Sequence, residues 1–245
     1  MQLSYLYSLT LDLSDIKIAL LKNMSKVELF ANERASGYDQ FVEAWIPNYH
    51  YFLDCLPKLL TDTDPKELLV VGCGTGNEIQ KLVTKGKTWN ITGIDPSPEM
   101  IQQARQKLEG YPNIVLAEAL IQDLKNGKKY DAATLLLVLH FLEDNGSKLE
   151  LLKEIGKRLV LGAPLVMLDI TGDSSMIKEN LKILRLLLSD DIPEEQISLR
   201  LNRIENELFH VSEDRLAALC VEAGFEVPVR FFQSTIYMGW MTKKR

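Results

Sequence analysis

The sequence predicts an α/β fold in which a mostly parallel, seven-stranded sheet carries helices on both faces and closes with a C-terminal antiparallel hairpin. Three observations predict it. Strand-like apolar runs alternate with helical patterns from residue 67 to 170, which implies parallel strands joined by right-handed crossovers. The run 131–138 is almost wholly apolar, as a strand covered on both faces must be. The stretch 225–242 reads as two strand-like runs parted at Gln233-Ser234, a hairpin at the sheet edge.

Each element has its own signal. Residues 1–65 read as a mainly helical N-terminal cap, with Tyr38, Phe41, Trp45, Tyr49 and Tyr51 close together and an Asp-rich turn at Thr61–Pro65. Residues 66–245 form the main domain, opened by the strand Glu67–Val71. Ile79, Leu82 and Val83 recur at helical spacing and Gly86 closes their helix. Asn90–Ile94 is the second strand. Ser97-Pro98-Glu99 then starts a helix with an N-cap, a first-position proline and a first-turn acid. Asn113–Leu116 is the third strand and Asp131–Val138 the fourth. Ser147 and Glu150 have capping-box spacing before the next helix, and Leu165–Ile170 is the fifth strand. The alternation then breaks. Two helical runs fill 174–209, joined at Asp190–Pro193, before a helix capped by Ser212 and stopped by Gly224. This insertion follows strand five at the carboxyl edge of the sheet. It is expected to cap a ligand crevice there or to meet a second subunit, giving a homodimer.

Composition narrows the function. Net charge is −6 over 245 residues, and no basic block stands out beyond Lys243–Arg245, so direct nucleic-acid binding is not expected. No apolar run approaches the ~20 residues that span a bilayer, and no basic segment precedes an N-terminal apolar stretch. Cys55, Cys73 and Cys220 lie too far apart for a disulfide framework, and three histidines show no metal-ligand spacing. The expectation is a cytoplasmic protein without membrane contact or metal.

Val71-Gly72-Cys73-Gly74-Thr75-Gly76-Asn77 follows a strand and opens a helix. Glycine lets a backbone turn tightly and approach a ligand without a Cβ in the way. A dinucleotide fingerprint needs G-x-G-x-x-G. Read from Gly72 its last place holds Asn77, and read from Gly74 it holds Ile79, so only G-x-G-x-G fits. Gly93-Ile94-Asp95-Pro96-Ser97 ends the second strand. A carboxylate there can accept from both hydroxyls of a ribose, although Asp before Pro is also an ordinary turn pair. A strand-end acid carries little core packing, so replacing Asp95 with Ala is expected to leave folding intact.

Leu68–Asn77, Gly93–Met100 and Tyr130-Asp131 with His140-Phe141-Leu142 together resemble the Rossmann-like S-adenosylmethionine-dependent methyltransferases over about residues 67–170. The resemblance implies a cofactor across the carboxyl edge of the sheet and a methyl acceptor, here expected to be a small molecule. Phe30–Arg34, Ile46–Tyr49 and Ala223–Phe225 are similar to a narrower group, the carboxy-S-adenosyl-L-methionine synthases of transfer-RNA modification. By these resemblances Tyr49 reaches over the cofactor, and Gly72, Cys73 and Gly74 lie below it. Asp95 and Pro96 sit at the ribose with Met100 beyond them, Leu120 and Ile121 lie near the adenine, and Leu136 follows strand four. Three positions depart from the pattern. Val70 replaces the first-strand acid, Leu120 the acid near adenine, and Leu136 an Asn of the narrower group. Leu201 aligns with that group's inserted Arg, with Arg200 and Arg203 on either side.

Other residues carry less. Tyr49 also suits plain core packing. His140 stands where a general base could sit, but a lone histidine there is more often structural. Cys73 reads as a small packing residue, and His210 and Tyr38 carry no specific signal. The acceptor cannot be read, because its contacts come from segments without a motif. A nicotinamide-dependent oxidoreductase is disfavoured by the glycine spacing. A carboxylated-cofactor synthase and a non-catalytic cofactor-binding protein stay open as alternatives.

Overall fold

A computed structural model describes residues 37–61, 66–84, 89–125 and 127–245. The expectations for 1–36, the Thr61–Pro65 turn beyond Thr61 and the Gly86 stop fall outside them.

Two helices, α1 (Tyr38–Trp45) and α2 (Tyr49–Thr61), lead into β1 (Glu67–Val71) and α3 (Asn77–Val83). Then come β2 (Asn90–Asp95), α4 (Pro98–Lys107), β3 (Ile114–Glu118), β4 (Ala132–Leu136), α5 (Ser147–Arg158) and β5 (Pro164–Ile170). The insertion folds as α6 (Ser174–Leu187) and α7 (Glu194–Asn206), followed by α8 (Glu213–Glu222), β6 (Val229–Ser234) and β7 (Tyr237–Lys243). The seven strands run in the order β3-β2-β1-β4-β5-β7-β6. The first five are parallel, whereas β7 is antiparallel to both β5 and β6. This is the expected Rossmann-like methyltransferase sheet with its C-terminal antiparallel pair.

The sheet separates two apolar clusters. On one face Val42, Phe52, Ile79, Ile101, Leu184 and Ile204 of α1–α4, α6 and α7 pack against Val70, Ala132 and Leu168. On the other, Leu152 and Ile155 of α5 and Leu216 and Leu219 of α8 meet Leu69, Ala133 and Met167. Both faces of β1, β4 and β5 are thereby covered, which explains their unbroken apolar sequences.

Local signals held in part. Ser97 caps α4 by accepting from Met100 N at 3.4 Å, and Ser212 caps α8 by accepting from Arg215 N at 3.2 Å. The capping box at Ser147 does not form. Gly146, at φ 110°, is the N-cap, and Asn145 Oδ1 receives Ser147 N at 3.3 Å. β4 stops at Leu136 rather than Val138 because Leu137 turns into the left-handed region, φ 59°, with its N–H on Leu168 O at 2.7 Å. The strand expected from Phe225 begins at Val229, after Pro228, which has no N–H for a ladder.

Candidate active site

The chain turns at the carboxyl ends of β1, β2 and β4, neighbouring strands of the sheet. After Val71, Gly72, Gly74 and Gly76 all take positive φ (71°, 50° and 83°), which L-residues adopt only at a cost. Gly72 N and Cys73 N both donate to Ile94 O at 2.9 Å, pinning the loop to the end of β2. A Cβ on Gly72 would stand 2.4 Å from Val138 Cγ2, so the spacing of these glycines records both conformation and crowding.

Asp95 closes the loop from the other side. Its Oδ2 accepts Gly74 N at 3.0 Å and its Oδ1 accepts Ser97 N at 2.9 Å. Burial pushes this carboxyl up, while the two backbone donors pull it back. A carboxylate has about four acceptor sites, so capacity is left for a ligand. The two bonds correct the expectation that Asp95 is structurally idle: it ties the glycine loop to the start of α4.

The other sequence-derived positions spread along the same edge. Pro96 lies between Asp95 and the N-cap Ser97, and Met100 is buried in the first turn of α4. β3 ends at Glu118, opposite Asp95. Leu120 and the buried Ile121 then start a 3₁₀ turn, Ile121–Asp123, in which Leu120 N donates to Asp123 Oδ2 at 3.0 Å. Leu136 is buried at the end of β4, and Cys73 is buried with its thiol pushed well up by that burial. Tyr49 is buried at the start of α2, after Asn48 at φ 64°. Burial raises its phenol, with Tyr38 and Glu78 adding to the effect.

Helix α1 is fastened over this loop by residues that the sequence did not single out. Asp39 receives Thr75 Oγ at 2.5 Å, Asn77 Nδ2 at 2.9 Å and Lys107 Nζ at 2.6 Å, and Lys107 also bonds Asn77 Oδ1. Burial acts against the Asp39 carboxylate, but these donors outweigh it and hold the group below its ordinary range. The clasp brings Tyr38 over the loop: a Cβ on Gly74 would lie 3.8 Å from Tyr38 Cε1.

Glu78 was also missed. It follows Asn77 in the first turn of α3, yet it is only 6% exposed. It accepts a hydrogen bond from Thr134 Oγ1, and Thr134 on β4 is the direct partner of Val70 on β1. A carboxyl thus stands over the place on the sheet where Val70 replaced the expected acid. Burial pushes its pKa to about 8, against the opposing hydrogen bond from Thr134.

Beside the loop lies a cavity of about 490 Å³, walled by α1, α7, β7 and the turn after β4. Tyr38, Phe41, Trp45, His140, Arg200 and Tyr237 supply its character. Arg203 lines it as well, and the Arg200 guanidinium lies 4.7 Å over the Phe41 ring. Leu201 turns away and packs on the core. None of the ten sequence-derived cofactor positions lines this cavity; Tyr38 connects the two regions. His140 Nδ1 stands 2.9 Å from Asp169 Oδ1, and both residues are 3% exposed. His210 instead places Nδ1 3.1 Å from Gly172 O.

Comparisons with known proteins bear on the domain and the fold. Residues 69–165 match a family described as "Methyltransferase domain". Trans-aconitate 2-methyltransferase of Rhodopseudomonas palustris (strain BisA53) is 38% identical over 58 residues, 24% of this chain and 22% of that protein. The chain therefore spans less than a quarter of the length of that relative. Carboxy-S-adenosyl-L-methionine synthase of Helicobacter pylori (strain Shi470) is 26% identical over 215 residues, covering 84% of this chain and 89% of that protein. Among solved structures, the plantazolicin methyltransferase BpumL in complex with a pentazolic desmethylPZN analog and S-adenosylhomocysteine superposes with a TM-score of 0.65 at 15% identity, covering 87% and 91% of the two chains. Residues 69–165 thus resemble a methyltransferase domain, and the chain shares its fold with the methyltransferase structure above.

Proposed function

We propose that the protein transfers a methyl group from S-adenosylmethionine to a small molecule held in the cavity beside the glycine loop. One observation carries the reading: a glycine loop tied to an acid with acceptor sites to spare lies under Tyr38, which also lines a cavity of about 490 Å³, a volume suited to a small ligand. The loop and Asp95 suit the cofactor. Gly74 has no side chain to intrude, and the donor-poor carboxylate matches a ribose diol. Tyr49, Cys73, Pro96, Met100, Leu120, Ile121 and Leu136 would complete its walls.

The bound cofactor supplies an electrophilic methyl on a sulfonium that is already a good leaving group. The chain's own residues bind, align and keep water out. Phe41 and Trp45 offer apolar surface, while Arg200 and Arg203 offer positive charge to an anionic end of the acceptor. Helices α1 and α7 roof the cavity, so segments 37–61 and 174–209 would select the acceptor. Ile183, Leu186 and Leu187 leave apolar surface on α6, where this reading expects the second copy of a homodimer. No nucleic acid takes part, and the setting is cytoplasmic. Calorimetric titration with S-adenosylhomocysteine tests the reading: no binding by folded protein would overturn it.

A second reading is carboxy-S-adenosyl-L-methionine synthesis. Arg200 and Arg203 both face the cavity although Leu201 does not, so a cation is present for a carboxylate. Against it stands Leu136 in place of Asn. Incubation with S-adenosylmethionine and prephenate, followed by mass analysis, separates the two; efficient formation of the carboxylated product would replace the first reading.

A further inference from the structure

We propose that Glu78 is a binding residue for the cofactor, its carboxylate receiving the ammonium of the methionine part of S-adenosylmethionine. The proposal rests on the methyltransferase reading and adds a cofactor contact which that reading did not assign.

The reasoning starts from a buried acid without a cation. Glu78 Oε1 accepts from Thr134 Oγ1, and Oε2 has no hydrogen-bond partner among the described residues. Burial governs its ionisation, opposed only by the Thr134 bond; no described lysine, arginine or histidine acts on it. Lys107, which reaches the neighbouring Asn77, is held there by Asn77 and Asp39. A carboxyl in such a place is costly to ionise until a positive group comes to it.

Position indicates which positive group that is. Beyond burial itself, Asp95 and Glu78 both push up the Tyr38 phenol above the glycine loop and the Cys73 thiol within it, so both acids stand close to the loop. Asp95 suits the ribose diol. The cofactor's sulfonium has no hydrogen to donate, whereas its ammonium has three and matches a carboxylate, which only accepts. Glu78 does not line the 490 Å³ cavity, which sets it apart from the methyl acceptor.

The free protein keeps the Glu78 proton at neutral pH, because burial puts its pKa at about 8. Arrival of the ammonium favours the ionised form, so the O–H bond breaks and the proton passes to buffer. Binding then releases a proton and tightens as pH rises toward 8. Tyr38 of α1, Tyr49 of α2 and Cys73 of the loop face Glu78; burial pushes all three up, and they stay neutral through this range. Asp95, also raised by burial, is present in both proteins compared below.

Calorimetry of wild type and Glu78→Gln with two probes makes the test. S-adenosylhomocysteine keeps the ammonium and lacks the sulfonium; 5′-S-(3-carboxypropyl)-5′-thioadenosine is the same molecule without its amino group. Gln keeps an acceptor for Thr134, which protects the fold. Titrations at pH 7 in phosphate and in Tris, whose ionisation heats differ, count protons. Wild type should release about 0.9 proton per S-adenosylhomocysteine bound, and Glu78→Gln none. The substitution should weaken that ligand about tenfold or more and the deaminated one less than twofold. Equal losses on both probes would mark a residue that only braces the fold and would overturn the proposal. Proton release unchanged by the substitution would overturn it as well. Failure of folded wild type to bind S-adenosylhomocysteine at all removes the methyltransferase reading with it.

Discussion

Replacing Glu78 with Gln should stabilise the protein at neutral pH, an uncommon result for a residue beside a candidate active site. Glu78 is buried against Thr134, and its pKa rises from 4.5 to about 8. Below pH 4.5 the carboxyl is neutral folded and unfolded alike, and its contribution is intact. Above 4.5 the unfolded chain releases the proton while the folded chain keeps it, so stability falls with rising pH until the folded group ionises near 8. Each unit between the two values is worth about 1.4 kcal/mol, so about 3 kcal/mol is lost by pH 7. Gln keeps the shape and the acceptor for Thr134 but has no proton to release.

The variant should match wild type near pH 4 and exceed it by about 3 kcal/mol at pH 7, or roughly 6–12 °C in Tm for a chain of this size. Urea unfolding of both proteins at half-unit steps from pH 4 to 8 measures it. Lys148, also buried, with its pKa lowered to about 8, does not confuse the comparison. Its folded value lies below its unfolded one, so its contribution is complete above the unfolded value and lost as pH falls to about 8, outside most of this window. Parallel curves for wild type and Glu78→Gln would refute the reasoning, since the carboxyl would then be ionised in the folded state.

Asp95→Ala should weaken S-adenosylhomocysteine binding at least tenfold, since each hydrogen bond to a charged group is worth roughly 1.5–3 kcal/mol. Asp95→Asn should weaken it less, and calorimetry decides; because Gly74 N and Ser97 N also lose their acceptor, the Ala protein should in addition unfold at lower urea. Gly72→Ala should cost more stability than Gly74→Ala. Both positions have positive φ, but at Gly72 the new methyl meets Val138 at 2.4 Å, whereas at Gly74 its nearest neighbour is 3.8 Å away; equal midpoints in denaturant would count against the crowding. Asp39→Asn should release α1 by about 1 kcal/mol, a value kept low because the Lys107 pair is partly exposed. Hydrogen exchange of α1 amides should then quicken while that of β4 does not.

The strands and the glycine loop were legible because each leaves a local mark. A doubly covered strand has to be apolar throughout, and a loop with three left-handed positions has to spend three glycines. The signals that failed were local ones overridden by a neighbour. Ser147 and Glu150 had the right spacing, but Gly146 reached the cap conformation first and Asn145 took the free N–H. Val138 was apolar enough for a strand, but Leu137 had already turned the chain. Glu78 was illegible for a different reason. An acid in a helix's first turn normally reads as a partner of the helix dipole, and its burial depends on Thr134, 56 residues away. Asp169 did leave a mark that could have been used: an acid inside the apolar run 164–170 has to find donors, and the turn carrying His140 supplies them.

That last pairing shows why the acceptor cavity carries no motif of its own. Each wall is held by a different device. Asp169 holds His140, the Asp39 clasp holds Tyr38 over the loop, and Phe41 stacks under Arg200. Tyr237 is fixed by the pairing of β7 with β5. Each device joins segments far apart in the chain, so none leaves a short signature. Except for the Asp39 clasp, which bonds Thr75 and Asn77 of the glycine loop, each can also be altered without touching that loop, which rests on Ile94 and Asp95. The consequence can be measured. Substitutions at Phe41 or Arg200 should change which acceptor is used while leaving S-adenosylhomocysteine affinity within about twofold, a difference of roughly 0.4 kcal/mol. A parallel loss of cofactor affinity would mean that the cavity and the glycine loop form one site rather than two.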